Sequence, residues 1–158
     1  MSVRITGGCQ CGAVRYALHE PPGNPHICHC RMCQKAFGSF FAPLAGVPRE
    51  AFEITRGEMA IFRSSDQAER GFCAACGTPL SFRYLTSKRI AISLGSLDDP
   101  AAVKPAHQYG IEARMPWFAE LAALPGETTE DSDPKLAADI KSTSHQHPDH
   151  DTTDWPPR

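Results

Sequence analysis

The cysteines of this 158-residue chain are the feature that most restricts its fold. They form three short groups: Cys9-x-Cys11, Cys28-x-Cys30-x-x-Cys33 and Cys73-x-x-Cys76. Seven cysteines cannot pair completely within one chain, and a disulfide between Cys9 and Cys11 would be geometrically strained. Cysteines two or three positions apart on a tight turn can instead direct both sulfurs to one point, as a tetrahedral zinc site requires. The grouping therefore predicts zinc coordination.

Two divisions of the cysteines between sites are compatible with this spacing. In the first, Cys30, Cys33, Cys73 and Cys76 form a zinc ribbon and three cysteines stay unused. In the second, Cys9, Cys11, Cys73 and Cys76 close a four-thiolate site, and Cys28, Cys30 and Cys33 form a three-thiolate site with an open position. The second uses every cysteine and matches the contrast between closed structural sites and open catalytic sites, so we favour it. A thioredoxin-like redox role for Cys73-x-x-Cys76 lacks the strand and helix that such a motif needs.

The spacing of apolar residues predicts a mainly β domain with little helix. Apolar and polar residues alternate in residues 13–18, 52–55 and 80–84, and further strands are expected at residues 59–63 and 89–94. Alternation of this kind between frequent turns is typical of an all-β domain. Neither a nucleotide-binding glycine motif nor a phosphate loop is present in the sequence.

Composition changes at residue 126 and predicts a core domain, residues 1–125, followed by a tail, residues 126–158. The core has 13 Lys/Arg and 10 Asp/Glu, a net charge of +3, whereas the tail has 3 and 8, a net charge of −5. We expect a mostly flexible tail with solvated histidines and one short helix near residues 133–141, capped by Asp133 with Pro134 at its first position. The mildly basic core suits a small anionic ligand and does not form the basic patch of a nucleic-acid-binding protein.

Hydropathy gives no sign of a membrane or secreted protein. The first residues contain no apolar stretch of the secretory type. The longest uncharged run, residues 36–48, is too short to cross a bilayer and is interrupted by glycine and proline. We therefore expect a cytoplasmic location, where thiols stay reduced and can bind metal.

Four motifs in order identify a family resemblance over about residues 4–120. They are Gly-Gly-Cys-Gln-Cys-Gly-Ala-Val-Arg-Tyr at 7–16, Cys-His-Cys-Arg-Met-Cys-Gln-Lys-Ala-Phe-Gly-Ser at 28–39, Arg-Gly-Phe-Cys-Ala-Ala-Cys-Gly-Thr-Pro-Leu at 70–80 and Gly-Ser-Leu-Asp-Asp-Pro at 95–100. Together they resemble the glutathione-dependent formaldehyde-activating enzyme family, which includes centromere protein V-like proteins. The resemblance implies an Mss4-like fold of short antiparallel sheets around a structural zinc held by Cys9, Cys11, Cys73 and Cys76.

The resemblance also implies a second, labile or catalytic zinc at Cys28, Cys30 and Cys33, the predicted catalytic residues. The family reaction, classed with carbon–sulfur lyases, condenses glutathione with formaldehyde to S-hydroxymethylglutathione. Zinc would present the thiol as the thiolate, which is the nucleophilic form. The chain departs from the family at Gln34, where a basic residue is common, and this implies an altered specificity if that position contacts substrate. The alternative is a non-catalytic zinc module that binds a protein or a small thiol.

Several residues near the cysteine triplet are candidates for holding an anionic substrate. Arg31 and Lys35 would offset the negative charge of a thiolate-rich centre and meet carboxylates, and Ser39 would donate a hydrogen bond. His26 is a candidate fourth ligand, whereas the side chain of His29 is expected to point away from the metal. The aromatic residues Phe37, Phe40 and Phe41 are expected to serve the core or a pocket wall, and Trp117 with Phe118 to cover the end of a sheet.

Overall fold

The computed structural model describes residues 3–154. Strands dominate it, which confirms the prediction of a mainly β protein. In chain order they are β1 (Ile5–Gly8), β2 (Arg15–Leu18), β3 (Gly23–Cys28), β4 (Ala42–Pro48), β5 (Phe52–Arg56), β6 (Ala60–Ser65), β7 (Ala68–Phe72), β8 (Pro79–Tyr84), β9 (Arg89–Ser93) and β10 (His107–Tyr109). The α-helices are α1 (Arg31–Phe37), α2 (Thr129–Ser132) and α3 (Pro134–Thr143), and short 3-10 helices occupy Arg49–Ala51, Leu94–Ser96, Pro100–Ala102, Ile111–Ala113 and Phe118–Ala123. No helix within residues 3–154 is long and apolar enough to cross a membrane.

The strands form two sheets that share one core. The smaller sheet has the order β1-β2-β5, and the larger has the order β10-β3-β4-β9-β8-β7-β6. Neighbouring strands are antiparallel except for β10 and β3, which are parallel. Buried side chains from both sheets, among them Tyr16, Leu18, Val47, Leu80 and Ile92, form the main core.

Strand β4 is an interior strand of the larger sheet, between β3 and β9, and is buried on both faces. Ala45 and Val47 belong to the main core, whereas Ala42 and Leu44 pack with Cys33 of α1 in a second apolar cluster. Residues 42–48 are apolar on both faces of β4 and therefore do not alternate with polar residues. This is why the sequence pattern did not predict it, although the strands containing residues 52–55, 80–84 and 89–93 were found.

The helix α1 is short because both of its ends are marked in the sequence. The Cys30 side chain caps the first turn by accepting a hydrogen bond from the backbone N–H of Cys33 at 3.4 Å. Gly38 ends the helix with φ of 58°, a left-handed conformation that glycine adopts without steric cost. Two cysteines of the triplet are therefore fixed to the first turn of a helix.

The tail contains a capped helix and then returns to the core. Asp133 accepts a hydrogen bond from the N–H of Leu136 at the start of α3. Beyond α3, the backbone N–H of His147 donates to the Gln10 carbonyl at 2.7 Å, and the His147 side chain is only 4% exposed. The expectation of solvated histidines is therefore wrong for His147, because packing against the loop between β1 and β2 buries it.

Ionic contacts attach the end of the described tail to the small sheet. Asp151 accepts hydrogen bonds from Arg15 at 2.9 Å and from Arg4 at 2.8 Å. Arg15 also donates two hydrogen bonds to the Asp98 carboxylate, from Nη1 to Oδ1 at 2.7 Å and from Nη2 to Oδ2 at 2.5 Å, and the Arg15 side chain is almost fully buried. Strand β2 is consequently buried on both faces, with the Arg15 guanidinium neutralised by two carboxylates.

Candidate metal centres and the adjoining cleft

Four cysteines from two loops meet at one point, which we call the four-cysteine centre. They are Cys9, Cys11, Cys73 and Cys76, whose sulfurs all lie within 4.8 Å of one another. The Sγ atoms of Cys9 and Cys11 are 3.6 Å apart, and those of Cys11 and Cys73 are 3.8 Å apart. Zinc–sulfur bonds of about 2.3 Å in a tetrahedron require sulfur–sulfur separations of roughly 3.8 Å. The donor set therefore fits a zinc ion.

Tight turns after β1 and β7 bring these sulfurs together. In the second turn, the N–H of Gly77 donates to the Cys73 carbonyl at 2.8 Å, and Gly77 has φ of 78°. That conformation is costly for residues with a Cβ atom. In the first turn, the N–H of Val14 donates to Cys9 Sγ at 3.2 Å. Such N–H groups stabilise negative charge on sulfur.

The electrostatic environment of this centre requires a cation for full ionisation. Burial raises the pKa of the Cys9 thiol to about 12. Burial also opposes ionisation of Cys76, yet hydrogen bonds from the hydroxyl and N–H of Thr78 lower the pKa of Cys76 to about 6. A bound metal ion deprotonates thiols outright, so four converging thiols of this kind fit a metal better than they fit an unliganded core.

The remaining three cysteines form a separate group, the three-cysteine centre. Cys28 ends β3, Cys30 caps α1 and Cys33 lies in its first turn, and their sulfurs also lie within 4.8 Å of one another. None of the seven cysteines forms a disulfide. The structure thus groups the cysteines as four and three, and no fourth His, Cys, Asp or Glu of residues 3–154 completes the smaller group.

A buried arginine from another strand faces the three-cysteine centre. Arg70, in β7, donates from Nη2 to Cys33 Sγ at 3.5 Å and is 8% exposed. Its guanidinium carbon lies 4.9 Å from the centre of the Phe82 ring. Within the described chain Arg70 has no carboxylate partner, and its Nη1 is buried without a hydrogen bond. A buried charge without a counter-charge is costly, and Cys33 Sγ is the ionisable group that Arg70 contacts.

The protein alone ionises this group only in part. Burial raises the pKa of the Cys28 thiol to about 12. Burial opposes ionisation of Cys30 too, but its hydrogen bond from the N–H of Cys33 and its neighbouring thiols lower the pKa of Cys30 overall. For Cys33, burial raises the pKa more than Arg70 lowers it. Three thiols, one cation and no fourth protein ligand fit a metal site that keeps a position free.

The three-cysteine centre opens into a cleft of about 600 Å³ lined by residues of β3, β4, β7, β8, β9 and α1. Apolar and aromatic side chains form much of its wall, including Met32, Leu44, Phe82, Tyr84 and Tyr109. Its charged lining residues are three arginines, Arg70, Arg83 and Arg89, and no aspartate or glutamate of residues 3–154 lines it. A cleft of this size and polarity suits a small anionic molecule.

The predicted anion-holding residues lie beside this cleft. Arg31, Lys35 and Ser39 are exposed, and none of them lines it. Arg31 and Lys35 instead line a shallower hollow of about 360 Å³ on the other side of Met32 and Arg70. Arg31 and Lys35 are four residues apart and share one face of α1, whereas Cys33, two residues from each of them, lies on the opposite face.

The histidines and Gln34 have other roles than metal binding. His26 lines the cleft and its Nδ1 contacts the Asn24 carbonyl at 2.8 Å, but His26 is not part of the sulfur group. His29 is fully buried, contacts Gln108 through Nε2 at 2.9 Å and points away from the sulfurs as expected. Gln34 is buried and donates to the carbonyls of His29 and Ala113, at 2.8 and 3.0 Å. It therefore joins α1 to the loop after β10 and does not face the cleft.

The aromatic residues after α1 pack away from the cleft. Phe41 and Phe118 meet edge to face at 5.7 Å, and Phe118 lies 4.7 Å from His29. Phe40 and Trp117 form a second edge-to-face pair at 4.6 Å. None of these side chains lines the cleft, so the expectation of a structural role is the one that their contacts support.

Sequence reasoning missed Arg70 and Arg89 as cleft residues. Arg70 stands three residues before Cys73 within a recognised motif, but its side chain approaches the other group of cysteines. Arg89 begins the strand after β8 and carries no motif of its own. A search for arginines on strands, rather than beside the ligands in sequence, would have found both.

Comparison with known proteins identifies the fold and the family of this chain. A crystal structure of a Rhodobacter sphaeroides protein, a structural genomics target, aligns with a TM-score of 0.54 and 20% identity. The alignment covers 65% of this chain and 98% of that chain, and it establishes similarity of fold. Residues 4–112 match the family described as glutathione-dependent formaldehyde-activating enzyme, and they include both cysteine centres and the arginines of the cleft. The chain therefore belongs to the glutathione-dependent formaldehyde-activating enzyme family.

Proposed function

We propose that this protein is a zinc-dependent enzyme that joins a small anionic thiol of the glutathione type to formaldehyde. The observation that carries the proposal is the position of the three-cysteine centre in a cleft whose charged lining is entirely arginine within the described residues. Family membership supports glutathione and formaldehyde as the substrates. The product would be S-hydroxymethylglutathione, and the enzyme class a carbon–sulfur lyase.

The two centres would have different roles. Cys9, Cys11, Cys73 and Cys76 would hold a structural zinc that joins the loops after β1 and β7. Cys28, Cys30 and Cys33 would hold a second zinc. Zinc with three protein ligands keeps a fourth position for a substrate and lowers the pKa of the group that it binds.

The reaction is an addition that needs no oxidant or reductant. A carbon–sulfur bond forms between the thiol sulfur and the carbonyl carbon, the carbonyl π bond breaks, and the thiol proton ends on the new hydroxyl group. The chain's contribution is to bind the thiol in the cleft and to offset negative charge at its sulfur. Arg70 is positioned for the second task, because its buried guanidinium already contacts Cys33 Sγ. A fixed positive charge on a buried side chain stabilises developing negative charge more strongly than a solvated one does.

The proposal also favours a cytoplasmic location. A thiol substrate and cysteines that hold metal as thiolates both favour a reducing compartment. The partners implied are a low-molecular-weight thiol and an aldehyde, with no role for nucleic acid or a membrane.

The test measures how fast the adduct forms at chemical equilibrium, because thiols and formaldehyde also combine without a catalyst. Exchange NMR with labelled formaldehyde and glutathione gives this rate with and without the zinc-loaded protein. We expect acceleration by the wild-type protein, and loss of both the acceleration and one zinc per chain in Cys30→Ser. The control variant is Thr86→Ala, an exposed position outside the cleft. Full acceleration by Cys30→Ser would refute the catalytic role of the three-cysteine centre.

A further inference from the structure

One arginine of the cleft is distant from the sulfurs and has no acidic partner. Arg83 is neutralised by Glu69, with Nε and Oε1 2.5 Å apart, and Arg70 contacts Cys33. Arg89 donates from Nη2 to the Gly46 carbonyl at 2.7 Å, and none of the ion pairs found among residues 3–154 involves it. A guanidinium group has five N–H donors, so Arg89 retains donors for an anion.

Two facing glycines leave space around this guanidinium. Gly23 of β3 and Gly46 of β4 are direct partners in the sheet. A methyl group built at Gly23 would lie 3.5 Å from Arg89 Nη2, and one built at Gly46 would lie 3.5 Å from Arg89 Nε. Any longer side chain at either position would therefore occupy the space next to the guanidinium. The pair of glycines keeps this end of the cleft open to a ligand.

The sheet register sets the distance between this end and the sulfurs. Cys28 pairs with Ala42, and Gly23 pairs with Gly46, so four residues of β4 separate the two ends. At a rise of about 3.3 Å per residue, these two positions are about 13 Å apart along β4, and the guanidinium lies beside the Gly23–Gly46 pair. Two metal–sulfur bonds of about 2.3 Å each and one hydrogen bond of about 2.9 Å leave roughly 5–6 Å for the ligand itself. That is the span from a thiol to a carboxylate across a peptide unit, and it exceeds the span within free cysteine.

We propose that Arg89 binds a carboxylate of the substrate thiol and thereby selects thiols of peptide length that carry this carboxylate. The inference rests on the proposed function, because it takes the three-cysteine centre as the place of the sulfur. Planar guanidinium groups bind carboxylates through two parallel hydrogen bonds, which fixes orientation as well as charge. Arg89 therefore acts as a specificity-determining residue at the far end of the cleft, while Arg70 serves the reacting end.

The experiment is calorimetric titration of the zinc-loaded protein with glutathione, with glutathione ethyl ester and with γ-glutamylcysteine, at physiological ionic strength. The ester blocks the glycine carboxylate and γ-glutamylcysteine lacks the glycine. We expect Arg89→Gln to weaken glutathione binding about 10-fold, the scale of one hydrogen bond to a charged group. A ligand that lacks the carboxylate bound by Arg89 should bind the wild-type protein about 10-fold more weakly than glutathione does. Its affinity should be the same for Arg89→Gln as for the wild type.

The matched control is Arg49→Gln, which removes the same charge from an exposed position outside the cleft. It should bind glutathione as the wild type does. Wild-type affinity in Arg89→Gln, or an equal loss in Arg49→Gln, would overturn the assignment of Arg89 and leave the proposed function intact. Failure of the wild-type protein to bind glutathione at all would overturn the proposed function together with this inference. A Gly46→Leu variant gives an independent check, because filling the space next to Arg89 should weaken glutathione binding without removing a charge.

Discussion

Replacement of Arg70 by glutamine should loosen the metal of the three-cysteine centre and leave the four-cysteine centre loaded. Arg70 Nη2 lies 3.5 Å from Cys33 Sγ, and both residues are more than nine-tenths buried. At an effective dielectric constant of about 20, two unit charges separated by the 3.5 Å of this contact attract each other by about 5 kcal/mol. Three thiolates around a divalent ion carry one net negative charge, which this guanidinium offsets.

The net effect is smaller than the Coulomb attraction. Arg70 loses hydration on burial, and glutamine retains a hydrogen-bond donor. We therefore expect a loss of about 2 kcal/mol, the range measured for a hydrogen bond to a charged group. This corresponds to zinc binding about 30-fold weaker at the affected centre.

The assay is competition for zinc between the protein and a chromogenic chelator, which resolves two binding events per chain in the wild type. Arg70→Gln should shift only the weaker event, and the unshifted tight event would show that the variant is folded. Arg70→Lys, which keeps the charge, should lose less. Arg63→Gln, an exposed arginine on the neighbouring strand β6, is the matched control and should shift neither event. Wild-type affinity of both events in Arg70→Gln would refute the argument that Arg70 balances the thiolates.

Three further predictions concern stability and are measured by denaturant unfolding. Asp98→Asn should lower the free energy of unfolding by about 3 kcal/mol, because it removes one partner of the buried contact with Arg15. The pKa values of Asp98 and Asp151 are lowered in the folded protein, because hydrogen bonds from arginine outweigh the cost of burying the two carboxylates. The two residues should therefore contribute fully to the free energy of unfolding above about pH 4, and this contribution should be lost as the pH falls through their folded-state pKa values. A free energy of unfolding that stays constant down to pH ~2 would contradict this. Gly57→Ala should lower the free energy of unfolding by roughly 2–4 kcal/mol, because Gly57 has φ of 65° and an added Cβ would overlap the carbonyl oxygen of Ala13. Gly95→Ala is the control, because the space around Gly95 is open. Equal effects of the two substitutions would contradict this explanation.

The cysteine pattern allowed the two centres to be predicted because a metal site restricts spacing as well as residue type. Cysteines within one group are neighbours in the chain, so the tight turns that join their sulfurs are local. The choice between a zinc ribbon and the division into four and three could not be made from spacing alone. The structure brings Cys73 to Cys11 and keeps Cys33 apart, because β7 delivers the turn at residues 73–76 to the end of the small sheet.

Alternation of apolar and polar residues predicted several strands, among them β2, β5 and β8, and missed β4, which is apolar along its length and buried on both faces. Residues 52–56 alternate between partly buried and exposed, so their sequence alternates too. Residues 42–48 contribute to two apolar clusters and show no alternation. The burial of His147 could not be predicted either, because the polar composition of the tail indicated a solvated side chain. Its burial depends on a contact with Gln10, 137 positions earlier in the chain.

The sequence by itself determined the chemistry that is local in the chain: seven thiols in three closely spaced groups, a short capped helix and a core of short strands. Turn geometry and capping depend on neighbouring residues, so a single sequence records them. Only the tertiary structure decided which cations face the three-cysteine centre. Arg31 and Lys35 adjoin the ligands in sequence but point outside the cleft, whereas Arg70 and Arg89 reach it from distant strands of the same sheet. Charge complementarity acts through space, and the register of β3, β4 and β9 sets the distances over which it acts here.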